Sequence, residues 1–218
     1  GKTGLIFRLF DEIKASYPNI QTVYVDIFAS DNIDGFIKLF AEAALSAIPE
    51  KSTFGKRLVN YIKSFRPQVT YDTLTGQPQL QIAYQTVQEK EYTLRGLFEF
   101  LDGQNSPIVI AIDEFQQIVY YHDNKNVEAA LRTQIQKCTN ANFVFAGSQR
   151  HLMSEMFLSP ARPFYQSVVP MSLHPIPLEH YWAFAEPRFA ISGNRRITRD
   201  VVEQVYHRFY GVTANIQR

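Results

Sequence analysis

Apolar residues along this chain follow two rhythms, and the changes between them divide it into elements. Leu5, Ile6, Leu9, Phe10 and Ile13 fall at i, i+1, i+4, i+5 and i+8, one face of a helix that Tyr17-Pro18-Asn19 ends. Thr22 to Phe28 then reads as a short, mostly apolar strand. Ser30, Asp31 and Asp34 offer N-caps for a second helix with Ile37, Phe40, Ala41, Ala44, Leu45 and Ile48 on one side. Residues 50–66 are mixed, with Phe54, Leu58, Tyr61, Ile62 and Phe65 at helical spacing. From Val69 the period drops to two: Val69, Tyr71 and Thr73 alternate, Thr75-Gly76 turns the chain, and Leu80, Ile82 and Tyr84 alternate again. This predicts a β-hairpin inserted between helices, over about 67–84.

Leu94, Leu97, Phe98 and Leu101 predict a short amphipathic helix closed by Gly103. Pro107 to Ile112 is a continuous apolar run, the mark of a strand buried on both faces. Val127, Leu131, Ile135 and Cys138 describe another helix. Phe143 to Ser148 is the next buried strand, and Val168 to Leu173 a further one. From Leu178 onward the pattern is helical, first through Tyr181, Phe184 and Phe189, then from Ile197-Thr198 into Val201, Val202, Val205, Tyr206 and Phe209. Strands alternating with helices predict an α/β class fold, a three-layer structure around a mainly parallel sheet.

Composition narrows the class of molecule. The chain has 218 residues, 45% hydrophobic and 20% charged, enough for a packed core without covalent staples. A net charge of +1 argues against a polycation that coats nucleic acid or an anionic membrane. Basic groups nevertheless gather late: residues 188–218 hold six arginines against Asp200 and Glu203, while the preceding 187 residues hold 16 basic and 19 acidic groups. That segment reads either as a tail that touches phosphates or as a helix with a solvated arginine face. One cysteine, Cys138, excludes an internal disulfide and a Cys-based zinc cluster, and makes a reducing, cytoplasmic setting the expectation. No apolar run is long enough to span a membrane. The sequence opens on Gly rather than Met, so further residues are expected upstream.

Three short segments could carry chemistry. Gly1-Lys2-Thr3 stands directly before the first helix. In a phosphate-binding loop a glycine lets backbone N–H groups turn toward the phosphates, the lysine reaches the β- and γ-phosphates, and the threonine hydroxyl ligates Mg²⁺. The same tripeptide also occurs at ordinary loop-to-helix junctions. Ile108 to Ile112 ends abruptly in Asp113-Glu114, which puts two carboxylates at the carboxyl edge of the sheet, where open α/β folds bind ligands. In a nucleoside triphosphatase the first acid holds Mg²⁺ through its water shell and the second polarises the attacking water; a solvated strand exit is the plainer reading. Ala146-Gly147-Ser148 ends the next strand, and its hydroxyl could meet a γ-phosphate or simply cap the helix that follows. Taken together and in this order, the three supply the parts of a phosphoryl-transfer site at corresponding ends of neighbouring elements. Asp26, at the exit of the preceding strand, reads as structural.

With these segments in place the sequence resembles the P-loop ATPases of the AAA+ and STAND type, in particular the archaeal-type ATPase family with bacterial relatives. Gly1-Lys2-Thr3 is similar to the end of Walker A, Asp113-Glu114 within IVIAIDEFQQI to Walker B, and Phe143 to Ser148, continuing through Gln149-Arg150, to the sensor 1 segment. Met156 to Tyr165 resembles the segment before the last core strand, and Gly211 to Gln217 the turn of the lid domain. The resemblance implies ATP and Mg²⁺ as cofactors. Gly1, Lys2, Thr3 and Gly4 would bind nucleotide, Thr3 and Asp113 would hold the metal, Lys2 and Glu114 would serve catalysis, and Ser148 would sense the γ-phosphate. Arg150 and Arg162 are the candidates for an arginine contact, with surface or capping roles as the alternative. It further implies a core over 1–177, a helical segment leading into a lid over 178–218, and a sheet order of 5-1-4-3-2 whose first strand and first five loop residues lie outside this chain. Thr213 stands where the family's lid turn has proline, so no sensor 2 role is carried over.

The expected function is Mg²⁺-dependent hydrolysis of the ATP β–γ bond driving a conformational change. The alternatives are a nucleotide-dependent switch with little turnover, and a DNA-associated regulatory module acting through domains outside this chain. Partners beyond ATP and ADP would be another protein or further copies of this chain, with no membrane role. The five histidines lack metal-ligand spacing.

Overall fold

The computed structural model describes residues 1–47, 56, 68–71, 78–81, 87–104, 106–191 and 197–216. Apart from residue 56, the mixed segment 50–66 with its helical spacing lies outside these, as do the turn and outer ends of the hairpin. The chain divides into two compact units, Lys2–Val169 and Pro170–Arg218.

In the first unit, helix α1 (Lys2–Ser16) leads to strand β1 (Gln21–Asp26), helix α2 (Ile33–Ala47) and two short strands, β2 (Gln68–Tyr71) and β3 (Pro78–Gln81). Helix α3 (Val87–Asp102), strand β4 (Ile108–Asp113), a 3₁₀ turn over Phe115–Tyr120, helix α4 (Asn124–Lys137), strand β5 (Ala141–Phe145) and helix α5 (Arg150–Leu158) follow. β1, β4 and β5 form a parallel sheet with β4 in the centre, and β2 and β3 form the separate antiparallel hairpin expected of the alternating segment. The order β1-β4-β5 matches the adjacent 2-3-4 portion of the order the resemblance implies.

The sheet is covered on both faces because β4 is apolar on both. Ile108, Ile110 and Ile112 join Val23 and Val25 of β1 in a large core with Phe36 and Phe40 of α2 and Leu94, Leu97, Phe98 and Leu101 of α3. Ala111 faces the other way, and its small side chain lets α1 lay Ile6 and Phe10 against the sheet. Only that narrow stripe of α1 is buried: Leu5 and Leu9, expected on the same face, are exposed along with Phe7. Cys138, expected in the core, is half-buried against it, and burial pushes its thiol up to about 12.

A second expectation fails at Val168 to Leu173. These residues form no strand, and Val169 is 95% and Met171 82% exposed. A strand needs a ladder partner as well as an apolar pattern, and none of the described residues pairs with this segment.

One carboxylate fixes the start of β5. Asp102, the last residue of α3, accepts the backbone N–H groups of Thr139, Asn140 and Ala141 at 2.7, 2.6 and 2.9 Å and the Thr139 hydroxyl at 3.2 Å. Burial alone would raise its pKa, but these donors outweigh it and hold the carboxyl below its ordinary value. Asp102→Ala is expected to cost about 1–3 kcal/mol at neutral pH. A carboxylate with a depressed folded-state pKa stabilises above the ordinary range and loses that contribution as pH falls through its own pKa. Urea unfolding should therefore show parent and variant converging as pH is lowered toward 2–3; a gap that does not narrow would mean the charge on Asp102 is immaterial.

The second unit contains helices α6 (Leu178–Ile191), α7 (Arg199–Arg208) and the short α8 (Thr213–Ile216). Tyr206 reaches back to donate its hydroxyl to the Ile176 carbonyl at 2.8 Å, and Tyr206 and Tyr181 rings lie 6.2 Å apart. Gly211 follows α7 at φ 69°, a left-handed position where a Cβ would meet Pro175 and the Tyr206 ring. No helix among the described residues is long and apolar enough to cross a membrane.

Candidate active site

The central strand ends at the acid pair singled out in the sequence. Past the last ladder rung, Ile27 N–H still donates to the Asp113 carbonyl at 3.3 Å, and Ala146 N–H to the Ile112 carbonyl at 2.9 Å. Phe115 N–H returns to the Ala146 carbonyl at 2.9 Å. The exits of β1, β4 and β5 are thus held side by side, with Asp113-Glu114 in the middle. Beneath them Phe115, Phe145, Phe157 and Phe164 pack ring against ring with centroids 4.4–5.9 Å apart, so the 3₁₀ turn after Glu114 rests on an apolar floor.

Asp113 is 3% exposed. Its Oδ2 accepts the Thr3 hydroxyl at 2.6 Å and the Tyr24 hydroxyl at 2.9 Å, while Oδ1 accepts the Glu114 N–H at 3.0 Å. Burial first, then the Asp113 carboxylate, pushes the Tyr24 hydroxyl well above its ordinary value, so Tyr24 stays a donor. The Thr3 proton also points at Asp113, which leaves the threonine oxygen lone pairs directed away from the carboxylate.

Glu114 adopts φ 55°, ψ 37°, a left-handed conformation uncommon for a non-glycine residue and worth about 1–3 kcal/mol of strain. Its Oε2 accepts the Ser148 hydroxyl at 2.8 Å and the amide nitrogen of Gln116. Gln116 Nε2 also lies 3.5 Å from Ser148 Oγ, which closes a small ring of hydrogen bonds.

Of the residues singled out from sequence, the structure brings Thr3 against Asp113, and Glu114 against Ser148, from α1, the end of β4 and the loop after β5. Lys2, Thr3 and Gly4 form the first turn of α1, with Lys2 half-buried. Packing does not demand glycine at Gly1 or Gly4, since a Cβ at either would meet nothing within 4 Å. Arg150 is exposed as the first residue of α5. Arg162 is not brought to the acids: it is 9% exposed and ion-paired with the fully buried Glu128 of α4 and, at 3.4 Å, with Glu155 of α5. Arg162 is thus neither the surface nor the capping arginine of the alternative reading, but one half of a buried ion pair. Asp26 likewise turns the chain, accepting Phe28 N–H at 2.9 Å, and all five histidines are exposed. Two site residues went unseen in the sequence, Tyr24 and Gln116. The only trace of either is a polar residue two places after the acid pair.

No protein-family model matches the chain, and no curated protein matches it. Among solved structures it is similar to the Walker-type ATPase PABY2304 of Pyrococcus abyssi, with 19% identity and a TM-score of 0.50 over 86% of this chain and 51% of that one. It is also similar to the ORC2 protein of Aeropyrum pernix, solved in ADPNP–ADP complexes, with 14% identity and a TM-score of 0.51 over 86% of this chain and 41% of that one. This chain therefore spans about half the length of the first and about two fifths of the second. At such identities the likeness is one of fold. The chain shares with both structures a three-layer α/β architecture built on a mostly parallel sheet.

Proposed function

We propose that this chain is the nucleotide-binding core of an ATPase that hydrolyses the β–γ bond of Mg²⁺-ATP to drive a conformational change. One observation carries the reading: the hydroxyls of Thr3 and Ser148 and the carboxylates of Asp113 and Glu114, drawn from separate elements, lie in hydrogen-bonded contact at one sheet edge. The donor set suits magnesium. It is all oxygen, and Thr3 with Asp113 offers only two protein donors, as expected of an ion that keeps several waters and binds substrate phosphates. Among the described residues no group of three or more His, Cys, Asp or Glu side chains forms a protein-only metal cage. Thr3 and Asp113 would hold Mg²⁺, whose charge would offset that of the phosphates.

The protein groups divide the remaining work. Lys2 and the unpaired N–H groups of the first turn of α1 bind phosphate oxygens at the positive end of that helix. Asp113 accepts the Thr3 hydroxyl and orients it, and the two would hold the metal. Glu114 accepts a proton from the attacking water, and Ser148 pins the carboxylate that does so. Arg150, two residues beyond Ser148, is our candidate for an arginine contact to phosphate.

Thr3→Val tests the assignment in the full-length protein, because it keeps the shape of an exposed side chain and removes only the hydroxyl. Magnesium titrations of ATP hydrolysis, and of binding of a fluorescent ATP analogue, should shift to at least about tenfold higher Mg²⁺. Hydrolysis that survives chelation of Mg²⁺, or a variant with the parental magnesium dependence, would overturn the proposal.

A further inference from the structure

We propose that Gln116 is a positioning residue: its amide fixes Oε2 of Glu114 and couples that carboxylate to Ser148, so that Oε1 alone is left to meet the attacking water. The inference rests on the role given to Glu114 above and adds a residue to it.

Three features at one spot point this way. Gln116 is 1% exposed, yet it spends its amide on the active-site edge rather than on the core. Its Nε2 donates to Glu114 Oε2 and lies 3.5 Å from Ser148 Oγ, while its Oε1 is buried without a hydrogen-bond partner among the described residues. Leaving a buried carbonyl without a hydrogen bond costs stability that an apolar side chain in the same seat would keep. Packing alone does not account for a glutamine here.

The Gln116 amide lies close against residue 147, which has no side chain. A Cβ on Gly147 would collide with Gln116 Oε1 and lie 2.6 Å from Met153 Sδ. The neighbouring backbone is also unusual, since Glu114 sits in the left-handed region. The unpaired carbonyl and the closely approached glycine thus lie on one side of the Gln116 amide, and its Nε2 meets the strained glutamate on the other.

Among the described residues, the two donors to the Glu114 carboxylate, Ser148 and Gln116, go to the same atom, Oε2. The carboxylate is therefore fixed in plane and direction, and its second oxygen is not engaged by either. Rotation of the Glu114 side chain toward or away from a bound water has to break the Gln116 contact, and any movement of Ser148 is felt through the same amide.

The test uses Gln116→Met, which keeps a long side chain in the buried seat and removes the donor, alongside Gln116→Ala, Ser148→Ala, the double variant Gln116→Met/Ser148→Ala, and Glu114→Gln as reference. All are measured in the full-length protein for kcat, KM and ATP-analogue affinity, with thermal unfolding to confirm folding. Each Gln116 variant should lower kcat at least about tenfold with KM and affinity within about twofold, because misplacement of a catalytic group costs rate and not binding. The double variant should lose less than the product of the two single losses, since both act through one oxygen. A purely structural glutamine would change unfolding without that split or that coupling. If Glu114→Gln is inactive while both Gln116 variants turn over at the parental rate, or if their effect falls on KM, the positioning role is wrong and the role of Glu114 stands. If Glu114→Gln itself turns over normally, the role of Glu114 falls first and Gln116 has nothing to position.

Discussion

Glu114→Gln in the full-length protein is expected to bind ATP as the parent does and to hydrolyse it at least about a hundredfold more slowly. The substitution removes the group that would take a proton from water and little else. A glutamine side chain has the same length, and its carbonyl oxygen can accept the same hydrogen bonds from Ser148 and Gln116 that Oε2 accepts now. The left-handed backbone at position 114 is no harder for glutamine than for glutamate, and Asp113, with its contacts to Thr3 and Tyr24, is untouched. Magnesium and nucleotide binding should therefore stay within about twofold, because a neutral side chain of equal size replaces the carboxylate and leaves Thr3 and Asp113 unchanged. Steady-state phosphate release and equilibrium binding of a fluorescent ATP analogue check the two halves separately. Parental turnover would remove Glu114 from the reaction. Loss of binding along with turnover would point to a carboxylate that serves the nucleotide rather than the water.

The parts of this site that are legible in sequence are those where one residue type in one place has few physical explanations. A run such as Ile108 to Ile112 has to be buried on both faces, and the structure centres it in the sheet between β1 and β5. Two acids at its end must then lie at a sheet edge, and a serine after the next parallel strand must lie beside them. Thr3 is reached by the same logic, since it opens the helix that crosses back over Ala111.

What was not legible depends on rotation and approach instead of order. Gln116 lies in a 3₁₀ turn whose direction is set by Glu114 turning left-handed, and no spacing rule announces that turn. Tyr24 reads as one more strand residue, although the alternation that buries Val23 and Val25 in one core sends Tyr24 to the opposite face and to Asp113. Val168 to Leu173 and the Leu5/Leu9 pair fail for a related reason. Periodicity shows which residues could be buried together, but burial also requires a partner surface, and among the described residues these segments meet none wide enough.

Arg162→Ala is expected to destabilise the protein by about 3–5 kcal/mol at neutral pH, one of the largest effects any single substitution should have here. Arg162 is sealed against Glu128, whose side chain is fully buried, while Glu155 adds a longer, half-exposed contact that solvent screens. Removing the arginine leaves a carboxylate in the core with no counter-charge, and its Oε2 already lacks a partner among the described residues. Burial pushes the Glu128 carboxyl up even now, against the pull of Arg162 beside it. Without that pull its folded-state pKa rises further. A carboxyl with a raised folded-state pKa binds its proton more tightly folded than unfolded, so its penalty is greatest at high pH and relieved as pH falls. The loss caused by Arg162→Ala should therefore be larger at pH 8 than at pH 5 in urea unfolding, shrinking as pH falls as for Asp102→Ala but in a higher pH window. Arg162→Met with Glu128→Leu should recover most of the stability by removing both charges together. A loss that is equal at both pH values, or a double variant no better than the single one, would show that Arg162 acts by packing and not by charge. The effect should also reach the site. Arg162 lies two residues before Phe164, which packs edge-on against Phe115 at 5.3 Å, and Phe115 directly follows Glu114. The double variant, stable but without the ion pair, separates the two consequences: turnover that stays low after stability returns would mean the pair holds the floor beneath Glu114 in place.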